Sequence, residues 1–387
     1  MDFSFTDEQR MIRDTAQSFF QQASTSDAVR KAMETEQGYS DELWQSVCQE
    51  MFFQAVHIPE SYGGMGLGYV ELCSVVEQMG SNLVCSPFFS TVCLGANAIL
   101  FAANDEQKEH YLPQIIDGST ATLAYAGKQV GTTASWGHDC IELCFTETNG
   151  QVVLDGQCHY VANGHTAQLI VVAAKEALTG ELALFIVEPA TVSTTLTRTY
   201  QGTMDQTQKQ AMLSFNQCQL ASDALMSRGF QAHQALEKTI ALAQIAISAD
   251  QLGGAQRVLD ETVTYVNERV QFNRPVGSFQ AVKHKAADMM LKAEASCSAV
   301  YYAACVADNT LAGQANIEQL QEAANIAKGY CSDAYFFNAG CAIQLFGGVG
   351  FTWEYDVHLY FKRAQSSAVM FGNSAYHHEQ IASRLLD

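Results

Sequence analysis

The sequence predicts an α+β chain in three domains: an N-terminal helical domain over residues 1–118, a central β-barrel domain over 119–228 and a C-terminal four-helix bundle over 229–387. Three observations carry this reading. Apolar residues recur at helical spacing near the start; short alternating or β-branched runs punctuated by Gly, Asn and Thr begin near Thr120; long helical patterns return after Gly229.

The first domain opens with TDEQRMIRDTAQSFFQQA, in which Thr6 is placed to cap a helix with Glu8 close behind. Met11, Ile12, Ala16, Phe19 and Phe20 make one apolar stripe. After the loop IPESYGGMGLG, YVELCSVVEQMGSN is another helical pattern, and NDEQKEHYLPQIIDG a short one interrupted by Pro113 and closed by Gly118. In the β domain CIELCF, QVVLDG, LIVVAA, LALFIVE and AMLSFNQ read as strands. Turns are expected at Asn149-Gly150, Asp155-Gly156 and Asn163-Gly164. The last domain carries helices from Ala232 to about Arg269, from about Gln280 to Asn309, from Ile317 to about Gly340, and one more near the end.

With 387 residues, 48% hydrophobic and 16% charged, the chain has the composition of a globular protein with a large buried core. Its net charge of −20 repels a phosphate backbone, which excludes nucleic acid as a partner. Met1 leads straight into the polar DFSFTDEQR rather than a signal peptide, so the twelve cysteines are expected as reduced thiols. None has CxxC spacing; Cys140 and Cys144 are expected on one face of a strand, as packing residues, and no metal site is expected. No apolar run reaches the roughly 18–20 residues of a membrane span, which points to the cytoplasm. The adjacent His377 and His378, and His284 between two lysines, read as ordinary core or surface histidines.

Four stretches carry a resemblance to a known family. IPESYGGMGLGYVELCSVVEQMGSNL at 58–83 resembles the Gly-Gly loop and glutamate-bearing helix of the acyl-CoA dehydrogenases, and LPQIIDGSTATLAYA at 112–126 resembles their run into the β domain. YVNERVQFNRPVGSFQAVKHKAADMM at 265–290 and QLFGGVGFTWEYDVHLYFKRA at 344–364 resemble two segments that approach the flavin. The resemblance implies FAD as cofactor, with Arg269, Phe272 and Gln280 reaching across a subunit boundary to its diphosphate and adenosine. Gln344, Gly348 and Asn373 are implied at the same cofactor. A guanidinium offers fork-shaped donors to phosphate, an amide both donates and accepts, and glycine lets the backbone come close. Asn273 stands where the family usually has glycine, and Asn tolerates the positive φ such a turn needs.

The implied reaction removes an α-proton from an acyl-CoA thioester while hydride leaves the β-carbon, which calls for a carboxylate base. The two positions where family members carry that glutamate hold Phe371 and Ala243 here. Asp250, seven residues beyond Ala243 and so about 10 Å further along the helix, is the remaining candidate. Its competing reading is a helix-face aspartate in an ion pair. Glu237 faces away from Ala243. The Thr-Glu-Pro triplet usual beside flavin is missing from AYAGKQVGTTASW, and Tyr160-Val161-Ala162-Asn163 stands where a tryptophan and a threonine are usual. The expected partners are an acyl-CoA thioester, an electron-transfer flavoprotein or similar acceptor, and further subunits of a homo- or hetero-tetramer. FGNSAYHHEQIASRLL is similar to a divergent bacterial branch in which two different subunits pair, so the alternative role is a noncatalytic partner subunit.

Overall fold

A computed structural model describes residues 5–130, 136–148, 150–221 and 223–386. Two compact units are present, one made of Met1–Lys31, Tyr69–Val84 and Gln244–Asp387, the other of Ala32–Gly68 and Cys85–Ala243. In chain order the elements are α1 (Asp7–Ala23), α2 (Ser26–Glu34), α3 (Asp41–Gln45), α4 (Tyr69–Ser81), α5 (Asn97–Ala102) and α6 (Asp105–Ile116). Strands β1 (Ala121–Ala124), β2 (Cys144–Thr148), β3 (Gln151–Ala162), β4 (Leu169–Glu176), β5 (Leu182–Val187), β6 (Leu196–Gln201), β7 (Gln210–Gln219) and β8 (Leu225–Arg228) follow. After them come α7 (Phe230–Glu268), the hairpin β9 (Val270–Gln271) and β10 (Arg274–Pro275), α8 (Gln280–Leu311), α9 (Ile317–Phe346), α10 (Val357–Val369) and α11 (Ser374–Leu386).

In the sheet unit the strands pair in the order β6-β7-β3-β2-β4-β5-β8, with β1 added to β4. Pairing of β4 with β1 and with β2 is parallel and the rest is antiparallel, so the sheet is mixed. Leu196 and Phe215 from one end of that order share a core with Ala183 and Phe185 from the other, so the sheet curls around one apolar centre. Strand β6 was not expected from the sequence: LTRTYQ buries only its first residue and shows no apolar alternation. Asp155-Gly156 is no turn. Gly156 takes φ +127 inside β3, opposite a register shift in which β7 carries the extra residue, with Gln217 at φ +47. Asn163 does open a turn at φ +50, and Asn149 lies outside the described residues. Cys140 ends a short turn at His138–Cys140 and does not share a strand face with Cys144; none of the twelve cysteines, all among the described residues, is joined in a disulfide. Helix α6 runs through Pro113 instead of breaking there, with Asn104 and Gln107 exchanging the two hydrogen bonds of a capping box at its start.

The helical unit contains α1, α4, most of α7 and α8–α11. Thr6 caps α1 as expected, though its reciprocal partner is Gln9 rather than Glu8. A Gly-Gly pair in the middle of a 39-residue helix is costly for helix propensity, by about 1 kcal/mol per glycine relative to alanine, and packing explains it. A Cβ on Gly253 would stand 1.8 Å from the carbonyl oxygen of Glu77, and one on Gly80 would stand 2.0 Å from that of Asp250. Helices α4 and α7 therefore cross with backbones in contact. On the neighbouring face Gly254 leaves room for the ring of Tyr335.

Two sequence expectations fail in this unit. The final helix is two, α10 and α11, broken where Phe371 and Gly372 take φ +58 and +106. The stretch Ile317–Phe351 reaches a mean hydropathy of 1.2 over 18 residues, so a segment long and apolar enough to cross a membrane is present by length and composition. Its buried face nevertheless carries Asn325, Lys328, Ser332 and Asn338, hydrogen-bonded to α11, to the α10–α11 turn, to α7 and to α7 and α8 respectively, as in a bundle helix.

Candidate functional site

At the C-terminal end of α7, the Tyr265 ring stacks on Phe346 at 4.2 Å between centroids and 10° between planes, and its hydroxyl donates to the Phe346 carbonyl at 3.3 Å. This contact fixes the end of α7 against the glycines that follow α9. Arg269 is exposed just past the last turn, and its guanidinium forms no ion pair among the described residues. The chain then reverses in a two-residue turn, Phe272 at φ +52 and Asn273 at φ +62, between β9 and β10. Both residues left-handed is the geometry of a type I′ turn, and asparagine at the second position suits it. Phe272 is thereby held out at 84% exposure, edge-on to Phe279, whose ring lies 4.0 Å beneath the Arg274 guanidinium.

Gln280 begins α8 and is exposed. From the same helix Lys285 Nζ donates to Gln344 Oε1 at 2.8 Å, which ties the start of α8 to the end of α9. Gly347 takes φ +67, and neither it nor Gly348 has any atom within 4 Å of where a Cβ would stand. Five of the expected cofactor residues, Arg269, Phe272, Gln280, Gln344 and Gly348, thus sit on elements joined by the Tyr265–Phe346 and Lys285–Gln344 contacts. An unpaired guanidinium, a second cation at Lys285, exposed amides and an open glycine edge suit the diphosphate of a dinucleotide. Lys285 was missed in the sequence because KHK reads as a solvated helix face. The sixth, Asn373, caps α11, its Oδ1 accepting from the Tyr376 amide at 2.9 Å.

The positions expected for a base hold no acid. Phe371 is buried with its carbonyl accepting from Gln244 Nε2 at 3.2 Å, and Ala243 is fully buried in α7. Asp250 is not a free carboxylate. Arg363 donates through Nη2 to Oδ1 at 2.6 Å and through Nε to Oδ2 at 3.2 Å, and the two side chains are only 3% and 5% exposed. Both oxygens of Asp250 are thus engaged by one buried guanidinium, which is the ion-pair arrangement that competed with the catalytic reading. Other withdrawn carboxylates of this unit are engaged as well. Glu77 accepts from Arg13 at 2.7 Å and from the Tyr301 hydroxyl, and Glu261 pairs with Arg257 at 2.8 Å. Asp308, pushed up to about 6 by burial, accepts from the Tyr69 amide at the start of α4. His377 is a core residue, its Nδ1 2.7 Å from Asn325 Oδ1, and burial pushes it down to about 3; His378 and His284 are exposed.

In the sheet unit Trp136 lies 6.5 Å from Tyr125 and 6.3 Å from Tyr160 between ring centroids. Tyr160 is itself left-handed at φ +56. Residues 131–135 of AYAGKQVGTTASW lie outside the described residues.

Helical domain, mixed sheet and helical bundle in this order make the architecture acyl-CoA dehydrogenase-like. Residues 6–119 match the family model for the acyl-CoA dehydrogenase N-terminal domain, and residues 229–386 that for the C-terminal domain. Acyl-CoA dehydrogenase IpdE2 of Mycolicibacterium smegmatis is 30% identical over 367 residues, covering 95% of each chain. The 3-(aryl)acrylate reductase of Clostridium sporogenes is 28% identical over 393 residues, covering 99% of each. The structure of butyryl-CoA dehydrogenase from Megasphaera elsdenii superposes with a TM-score of 0.89 over the whole of both chains at 24% identity. The chain belongs to the acyl-CoA dehydrogenase family.

Proposed function

We propose that this chain binds FAD and takes part in the α,β-dehydrogenation of an acyl-CoA thioester, handing electrons to an electron-transfer flavoprotein or similar acceptor. The observation that carries this reading is the unpaired Arg269 beside the hairpin, on elements tied to Gln344 and the open edge at Gly348. In this role Arg269 and Lys285 offset the diphosphate charge, Gln280 and Gln344 supply amide contacts, and Gly348 admits the cofactor against backbone. FAD, when bound, supplies the hydride acceptor. Phe272, rigidly presented, is suited to cover an adenosine from a neighbouring subunit in a homo- or hetero-tetramer. Relatives named acyl-CoA dehydrogenase and 3-(aryl)acrylate reductase support a couple between saturated and unsaturated acyl groups.

A second reading has an observation of its own. With Phe371 and Ala243 apolar and Asp250 paired to Arg363, a noncatalytic subunit of a heteromeric dehydrogenase fits the proton-transfer side better. One preparation separates the two. Purified chain that is yellow, and whose flavin bleaches anaerobically with a panel of acyl-CoA thioesters, supports the enzyme. Flavin that is retained but bleaches only after a second family subunit is added supports the partner role. A colourless chain that retains no added FAD, alone or with that subunit, refutes both.

A further inference from the structure

The break between α10 and α11 is held by donors from inside the bundle. Phe371 and Gly372 are both left-handed, and three carbonyls of the turn point inward. Gln244 Nε2 donates to Phe371 O at 3.2 Å, and Lys328 Nζ donates to Ala368 O at 3.2 Å and to Gly372 O at 3.1 Å. The third neighbour of Nζ is Ser332 Oγ at 2.8 Å. Lys328 has no exposed surface and no ion-pair partner among the described residues.

The surroundings hold little that balances a charge. Cys331 and Asp333 come from its own helix, and Asp333 is exposed. His377 faces it from α11, where the His378 ring also packs over Gly329. From α7 comes the neutral Gln251, whose Nε2 lies 3.2 Å from Ser332 Oγ and 3.1 Å from Ser367 Oγ of α10; from α8 come Ser296 and Cys297 beside Cys331. Arg363 of α10 is matched by Asp250 of α7. Burial pushes Cys331 up to about 12 and His377 down to about 3, so both are neutral near pH 7.

Nζ donates to the two carbonyls and to Ser332 Oγ, whose hydroxyl in turn donates to Gln251 Oε1 at 3.4 Å, so the hydrogen count alone accommodates either protonation state and the buried charge decides between them. An ammonium occupies the same positions but leaves a buried charge that no carboxylate compensates. We infer that Lys328 is the positioning residue of the Ala368–Asn373 turn, that it closes the turn as a neutral amine, and that taking up a proton releases the turn.

The sign follows from linkage. An open turn lets the amine reach water, where it binds a proton more tightly than in the closed cage, so acid favours opening and base favours closure. Burial pushes Lys328 down to about 7, which puts the change near neutrality. The turn carries Phe371 and Asn373, two positions that the resemblance ties to base and cofactor, but neither flavin nor thioester enters the test below, so its failure is distinguishable from failure of the proposed function.

Amide hydrogen exchange of a peptide spanning residues 366–376 in the full chain, from pH 6 to 9 with intrinsic rates divided out, tests it. Protection is expected to rise above pH 7 by up to ~10-fold per pH unit, the limit for one proton. Sheet peptides should not follow. K328M should abolish the slope, and H378Q should keep it. A flat wild-type profile, a slope that persists in K328M, or an equal slope throughout the chain overturns the inference. If K328M does not fold, NMR of the labelled lysine amine in the wild-type chain decides: titration in step with the exchange change supports it, and an amine still charged at pH 9 overturns it.

Discussion

Asp250→Ala separates a structural from a catalytic role for the carboxylate on α7. The substitution strips the Arg363 guanidinium, 3% exposed, of its counter-charge, while the Val84 carbonyl at 3.4 Å stays in reach. Removing one partner of a buried, bidentate ion pair costs about 3–5 kcal/mol, because the survivor keeps its desolvation penalty and loses its counter-charge. At about 2–4 °C per kcal/mol for a cooperative unit of this size, the melting temperature should fall by about 6–20 °C. The double replacement D250L/R363M, which removes both charges, should recover most of that loss. Circular dichroism melts of wild type, D250A and D250L/R363M supply the measurement. A D250A protein that melts within about 2 °C of wild type, yet whose flavin no longer bleaches with thioester, refutes the ion-pair role and restores Asp250 as a base.

Arg269→Ala should lower FAD affinity at least ~10-fold without moving the melting temperature of the flavin-free chain, and R269K should recover only part of it for want of the guanidinium fork; unchanged flavin retention on dialysis would remove Arg269 from the site. Gly372→Ala should destabilise by about 1–3 kcal/mol in urea titrations, since φ is +106 there and a Cβ would stand 2.4 Å from the Tyr376 ring; an unshifted midpoint contradicts this. His57, buried against Asn97 Oδ1 at 2.9 Å, is pushed down from 6.5 to about 4 by burial. Between those values the unfolded chain binds a proton that the folded chain refuses, so stability should fall as pH drops through that window, by at most about 1.4 kcal/mol per pH unit. His57→Gln should flatten that part of the profile, and an unaltered slope assigns the acid sensitivity elsewhere.

Local rules made α1 legible, because its cap and stripe lie within one short segment, and they found α4, β4, β5 and the long helices for the same reason. They failed where tertiary contacts decide. Asp155-Gly156 has turn composition, but β3 pairs with β7 on both sides of it, which keeps it inside the strand. At the cofactor end, the residues implied by resemblance were found, while Tyr265 and Lys285, which hold the elements together, were not: a tyrosine–phenylalanine stack and a lysine–glutamine bond join residues 81 and 59 positions apart. Lys328 left a fainter signal. It continues the buried row of Leu320, Ala324, Ala327 and Cys331 on α9, a position where a charged residue needs a reason.

The crossing of α4 and α7 sets a limit on what the sequence can become. Alanine, the mildest replacement available, would force the two backbones apart by more than an ångström at either Gly80 or Gly253, since no flexible side chain stands there to give way. A library randomised at these two positions and selected for soluble chain should return glycine at both. Across that contact the unit of evolutionary change is smaller than one methyl group.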